Sequence, residues 1–243
     1  MNRRGGGVEI DGVLVVDKPS GMTSHDVVAI ARKYLDVRKI GHCGTLDPLA
    51  TGLLLLVLGR GTKIQDLLMS EDKEYLGTLA LGASTTTQDK EGAVVEQRPV
   101  PALDRARIEE AFSRFEGDFY QTPPMVSAIK KDGVPLYKLA RKGLTVEREP
   151  RFVHVYASEI REIRLPEIDF RVVCSKGFYV RTYAHDIGEA LGCGGHLTAL
   201  RRVKSGRFDL SRAVPVDEIK HGDPAAVLAK VLSLPDVSRL RGA

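Results

Sequence analysis

The chain is poor in cysteine, has no long apolar run and lacks the common nucleotide-binding signatures. Its 243 residues include only three cysteines, Cys43, Cys174 and Cys193. An odd number at wide spacing does not make a disulfide framework, and reduced thiols fit better. No apolar stretch approaches bilayer-spanning length, which argues against a transmembrane helix. The start, Met1 to Gly7, is short, basic and glycine-rich, without the apolar segment of a signal peptide, and reads as a flexible arm. A cytoplasmic protein is the expectation. The excess of positive charge is only +4, which permits a polyanionic partner without demanding one. There is no P-loop, no GxGxxG after a strand and no GxSxG elbow. These absences remove the familiar NTPase, dinucleotide-dependent and serine-hydrolase classes.

What is present is organised around one loop, Gly41-His42-Cys43-Gly44-Thr45-Leu46-Asp47-Pro48-Leu49-Ala50-Thr51-Gly52. Three glycines permit backbone angles that other residues avoid. Pro48 fixes its own φ and pushes Asp47 towards an extended conformation. The apolar run Leu53 to Leu58 follows and has the length of a buried strand. Asp47 therefore sits on a rigid turn entering the core. Two readings stand side by side: a carboxylate held still for chemistry, or an Asp that caps its own turn.

Along the rest of the chain, Gly12 to Asp17 reads as a buried strand, followed by a turn at Lys18-Pro19. Ser24 is placed to cap a helix to about Leu35, with Val27, Val28, Ala31 and Leu35 on one face. Thr62 is placed to cap a short helix. Lys73 to Gly82 alternates as a strand with Tyr75, Gly77, Leu79 and Leu81 on one face. Leu103 to Phe115 has helical spacing. Gln121 to Gly143 is the least regular part, with an Asp132-Gly133 turn signal and a short helix from Leu136 to Lys142. Lys130, Lys131, Lys138, Arg141 and Lys142 surround Tyr137 there, a composition suited either to a nucleic-acid contact or to a solvated protrusion. Two strands follow, Phe152 to Arg164 and Ile168 to Cys174. A helix from about Arg181 to Leu191 is stopped by Gly192. His196 to Leu210 reads as a last strand pair rich in arginine. Many strands with interspersed helices, without regular βαβ alternation, indicate an α+β fold.

Asp47, Tyr75 and Arg181 are the residue types that make a one-carboxylate site. An arginine keeps a buried Asp ionised, and a tyrosine can move a proton or stack on a base. Spacing alone does not bring the three together. Each also has a plain structural reading, Arg181 as a surface ion pair and Tyr75 as a core aromatic with a wet tip. His42, Cys43, Cys193 and His196 hold zinc-ligand atom types, but nothing else in the pattern supports a metal.

The string GHCGTLDPLATGLL resembles the signature of the TruB family of RNA pseudouridine synthases. Further segments resemble the same family in the same order: GVLVVDKPSGMTSHD, KEYLGTLALG, TTTQDKEG, PPMVSAIKKDGVPLYKLARKG, CSKGFYVRTYAHDIGEALGCGGHLTALRR and SGRFDL. They run from about Val8 to Leu210. The match is closer to the bacterial tRNA-modifying branch than to the dyskerin-type branch that works in guide-RNA particles. Phe178 stands where the family often has Thr.

The resemblance implies a mixed, largely antiparallel central sheet with flanking helices and loops. It implies conversion of uridine 55 in the T loop of tRNA into pseudouridine, without metal or other cofactor. Asp47 corresponds to the essential aspartate. Tyr75 corresponds to the tyrosine that stacks on the target base, and Arg181 to the arginine that pairs with the aspartate. His42 corresponds to the histidine filling the gap left by the flipped nucleotide, and Leu200 to an apolar wall of the uracil pocket. Lys18 and Pro19 form the motif beside the cleft, with Tyr179 adjoining Arg181. Lys130, Tyr137 and Arg141 lie in the RNA-clasping insertion, about residues 121–150. The catalytic domain is expected over residues 1–212. A short tail, 213–243, is expected to form one helix, around Ala225 to Leu232, and no full PUA-type domain. The expected partner is the tRNA T arm, bound by a monomer with no obligate protein partner and no membrane. A non-enzymatic RNA-folding module, or a synthase acting on another RNA, are the competing functions.

Overall fold

The structure is a computed structural model that describes residues 7–242, apart from 128, 132, 141, 142 and 145. The expected arm before Gly7, the Asp132 turn position and Arg141 lie outside the described residues, as do the side chains of Lys130 and Tyr137.

In chain order the elements begin with β1 (Gly12–Lys18), α1 (Ser24–Leu35), β2 (Ile40–Cys43), β3 (Thr51–Leu58), α2 (Gln65–Met69) and β4 (Lys73–Leu81). They continue with β5 (Ala83–Thr85), β6 (Val94–Gln97), α3 (Arg105–Ser113), β7 (Gly117–Gln121), β8 (Lys130–Lys131), β9 (Val134–Pro135) and α4 (Leu136–Ala140). Then come β10 (Arg151–Arg164), β11 (Glu167–Cys174), α5 (Val180–Ala190), β12 (Gly195–Ser205) and β13 (Phe208–Asp209). Last are β14 (Val214–Pro215), α6 (Val216–His221), α7 (Pro224–Leu228) and α8 (Leu234–Arg241). The main sheet is mixed and largely antiparallel, in the order β14-β1-β3-β12-β4-β11-β10-β7, with β2 on β3 and β13 on β12.

The chain forms two compact units: the residues up to Lys73 together with those from Arg201 onward, and the stretch Glu74–Leu200. In the first, β1 runs antiparallel to β3 from Gly12 opposite Leu58 to Lys18 opposite Gly52. Every residue from Leu53 to Leu58 is buried, as an unbroken apolar strand requires. Val13, Val15, Leu53, Leu55 and Val57 form one core with Cys43, Leu68, Phe208 and Val237. In the second unit β4 alternates as expected, with Tyr75, Gly77, Leu79 and Leu81 inward. Tyr183 of α5 packs edge-on against Phe112 and Phe170.

Three expectations are corrected. Helix α1 is capped by Thr23, not Ser24: Thr23 and Asp26 form a reciprocal capping box, which frees the Ser24 side chain to turn inward. Thr62 caps no helix. It lies in a tight 3-10 turn, its hydroxyl bonded back to the Gly59 carbonyl, and α2 begins at Gln65. The residues after 212 are not a one-helix tail. They form β14 and three helices, because Gly222 ends α6 while Pro224 and Pro235 each start a new helix under an Asp223 or Ser233 cap. They are also integrated into the first unit, where Val13 and Leu232 exchange both main-chain hydrogen bonds at 2.9 Å.

Candidate active site

The Asp47 loop is held from both sides. The Asp47 carbonyl accepts from the Ala50 amide at 3.0 Å, closing a turn with Pro48 in its second position. The turn-forming reading of Asp47 is thus met by its main chain, and the residue is only half-buried. On one side, the Ser24 hydroxyl accepts from the Leu46 amide at 2.9 Å and donates to the Leu46 carbonyl at 3.2 Å. On the other, the Pro48 carbonyl accepts from the Gly21 amide at 2.8 Å and from Lys18 Nζ at 3.4 Å. Lys18 is 0% exposed, and its ammonium also donates to the carbonyls of Pro19 and Met22 at 2.9 and 2.7 Å. The Lys18-Pro19 turn is therefore a brace for the neighbours of Asp47.

His42 lies at the start of this loop, on β2. Its ring meets His25 edge to face, with centroids 5.1 Å apart. Its Nδ1 is buried and has no hydrogen-bond partner among the described residues. Burial first, then the neighbouring His25 and the charge of Arg202, lower its pKa to about 4. The imidazole is therefore neutral at neutral pH.

In the second unit, Arg181 lies at the start of α5 and is 3% exposed, not on a free surface. Nη1 donates to the Thr87 carbonyl at 2.9 Å and Nη2 to the Val126 carbonyl at 2.7 Å, while Nε lies 3.7 Å from Asp89 Oδ2. Asp89 is buried too, its other oxygen taking the Thr87 hydroxyl at 2.5 Å and the Glu91 amide at 3.0 Å. Tyr179 caps α5, with its amide and carbonyl both bonded to the Gln121 side chain. Tyr75 and Leu200 are each 8% exposed, on the neighbouring strands β4 and β12. In the insertion, β8 pairs with β9 across Gly133, and α4 follows.

The first unit thus collects Asp47, His42, Lys18 and Pro19, and the second carries Tyr75, Tyr179, Arg181 and Leu200. Sequence reasoning missed three supporting residues: Ser24, Asp89 and Arg202. The inward position of Arg202 in the alternation of β12 was the available signal. Among the described residues no three of His, Cys, Asp and Glu gather as metal ligands. All three thiols are buried, and burial raises the Cys43 pKa to about 12. Among the described residues no helix is long and apolar enough to cross a membrane.

Comparison with known proteins defines the class first. A solved Cbf5-Nop10-Gar1 complex contains a chain that superimposes with a TM-score of 0.72 and 30% identity, over 94% of this chain and 62% of that one. An H/ACA RNP bound to a substrate RNA containing 2'-deoxyuridine gives a TM-score of 0.66 and 28% identity, over 91% and 58%. This chain thus spans about three fifths of those solved chains. The fold is that of a pseudouridine synthase. Family models described as "TruB family pseudouridylate synthase (N terminal domain)" and "tRNA pseudouridylate synthase B C-terminal domain" match residues 32–180 and 181–232. Proteins named tRNA pseudouridine synthase B are similar over most of the chain. The Opitutus terrae protein is 56% identical over 87% of this chain and 88% of its own length. The Syntrophotalea carbinolica protein is 47% identical over 95% and 75%. The chain belongs to the TruB family of pseudouridine synthases, isomerases that convert uridine to pseudouridine in tRNA.

Proposed function

We propose that this chain isomerises uridine 55 in the T loop of tRNA, with Asp47 as the essential carboxylate. The observation that carries this reading is the two-sided anchoring of Leu46 and Pro48, which leaves the intervening Asp47 on a fixed main chain. A nucleophile or base must be pre-positioned to gain from proximity. The reaction breaks the N1–C1′ bond, turns the uracil and joins C5 to C1′. The C5 proton is lost and N1 gains one, so electrons balance without a redox cofactor.

The target base must leave its stack before any group can reach C1′, at a cost of a few kcal/mol. In this reading Tyr75 stacks on the flipped uracil and serves its C5 proton, and Leu200 walls the pocket. Arg181 offsets the negative charge at Asp47, beside Tyr179. A neutral His42 suits the part of gap filler, because a neutral ring enters a base stack with less desolvation than an imidazolium. Lys18 and Pro19 act through the loop they brace. The segment 121–150, with Lys130, Tyr137 and Arg141, clasps the T arm through phosphate contacts and stacking. The protein works in the cytoplasm as a monomer, without cofactor, metal or obligate protein partner.

The test is an unmodified T-arm stem-loop incubated with wild type and with Asp47→Asn, without added metal or nucleotide, and mapped at single-nucleotide resolution. Product at position 55 with wild type alone is expected. Binding without modification of either the stem-loop or full tRNA would overturn the assignment.

A further inference from the structure

Arg202 is among the most deeply buried side chains, 1% exposed. Its guanidinium reaches two main-chain carbonyls: Nε donates to Leu53 O at 2.7 Å and Nη2 to Gly44 O at 2.9 Å. These two carbonyls bracket the Asp47 loop, one just before Thr45 and one just after Gly52. Its own main chain also meets the end of the loop. On the parallel pair β12–β3, Arg202 lies opposite Gly52.

Two glycines leave room for this arrangement. A Cβ on Gly52 would lie 2.2 Å from the Arg202 carbonyl, and Gly52 has φ +97°. A Cβ on Gly44 would lie 3.2 Å from Arg202 Nη1, with φ +74°. Burying a guanidinium is costly where an apolar side chain of similar size would pack without penalty. Its return here is geometric. One rigid planar group with several donors fixes the separation of two carbonyls in one plane, which an apolar residue cannot do and a rotating ammonium does with less geometric constraint.

We propose that Arg202 is a positioning residue for the reaction: it clasps both ends of the loop Gly44–Leu53 and so fixes where Asp47 stands. The inference rests on Asp47 being the essential carboxylate. Arg202 acts through the loop and not on RNA, because its guanidinium is buried beneath it. Its charge is also felt within the loop region, where it helps to hold His42 neutral. A displacement of about 1 Å at a reacting group costs on the order of 10²-fold in rate. That sets the scale of the expected effect.

The test compares wild type with Arg202→Lys, Arg202→Met, Gly44→Ala and Asp47→Asn. Three quantities are read: the single-turnover rate on T-arm RNA at saturating enzyme, the Kd for that RNA, and peptide-level hydrogen exchange. Arg202→Met is expected to lose about 10²-fold in rate, and Arg202→Lys and Gly44→Ala about 10-fold, with Kd within about twofold of wild type. Exchange should rise over residues 41–53, while β10–β11 and α5 stay protected. If Arg202→Met does not fold, Arg202→Lys and Gly44→Ala decide by the same criteria. A folded Arg202→Met or Arg202→Lys with wild-type rate overturns the proposal. So does a rate loss matched by an equal loss of RNA affinity, or by exchange rising everywhere alike. An active Asp47→Asn would instead overturn the catalytic assignment itself, whatever the Arg202 variants do.

Discussion

The hydroxyl of Ser24 is bonded to both main-chain groups of Leu46, accepting from the amide at 2.9 Å and donating to the carbonyl at 3.2 Å. It thereby joins the first turn of α1 to the residue just before Asp47. Ser24→Ala leaves a buried N–H and a buried C=O without that partner. A loss of about 1–3 kcal/mol in stability is expected, measured by urea denaturation. The rate of pseudouridine formation should fall while RNA affinity is kept. Unchanged stability and rate would mean that the loop does not depend on this bond.

Arg181 offers a second prediction. Its three nitrogens reach Thr87 O, Val126 O and the Asp89 carboxylate from one plane. A lysine ammonium cannot serve three directions fixed by a fork. Arg181→Lys is therefore expected to slow single-turnover conversion by about 10²-fold despite keeping the charge. Asp89→Asn should cost less, and the double variant should cost less than the product of the two, because both act on one guanidinium. Full multiplicativity of the rate losses would show that Asp89 and Arg181 act independently.

Stability should also depend on pH through His42. In the folded chain its pKa is lowered to about 4, against about 6.5 for an unperturbed imidazole. Between these values the unfolded chain binds more protons, so this group's contribution is lost as pH falls from about 6.5 towards 4. Asp186 opposes it. Burial raises its pKa to about 6, so the folded chain holds the extra proton and loses stability as pH rises from about 4 to about 6. His42→Asn removes only the first slope. Relative to wild type, the variant should gain about 1 kcal/mol as pH is lowered from 6.5 to 4.5, allowing for partial exposure of the ring. Parallel urea-stability curves for the two proteins would show that His42 titrates normally.

The thiols give a fourth test. Cys43, Cys174 and Cys193 are all free and buried. A thiolate is the reactive form, and burial raises the pKa of both Cys43 and Cys193. The native protein is expected to resist iodoacetamide, with all three sites labelled after denaturation. Rapid native labelling of Cys43 would mean that the strand leading into the Asp47 loop opens readily.

The parts legible in the sequence are those governed by local rules. The unbroken apolar run marked β3, strict alternation marked β4, and glycine, proline and one carboxylate marked the loop. Thr23, Ser24 and Thr62 show where local rules fall short. Neighbouring hydroxyls compete for the same cap, and tertiary contacts decide which turns inward. Asp89 is one polar residue among the many of Ser84–Gly92, and Arg202 one base in an arginine-rich strand pair. Their meaning lies in carbonyls and carboxylates far away in sequence, which no periodicity encodes. The helices after residue 212 are too short to show a helical stripe in the sequence, whereas Gly222, Pro224 and Pro235 do mark their limits.

The unit that holds Asp47 is assembled from two stretches far apart in sequence, with Val13 on β1 bonded to Leu232. A ribosome makes it in the wrong order for early assembly. After Lys73 emerges, the whole stretch Glu74–Leu200 must be synthesised before Arg201, which takes on the order of ten seconds at ordinary rates of chain synthesis. During that interval the apolar β3 strand waits without β12, β14 or the buried Arg202 clasp. The clasp on the Asp47 loop can therefore close only after Arg202 has been made, and until then β3 is an apolar strand without its parallel neighbour.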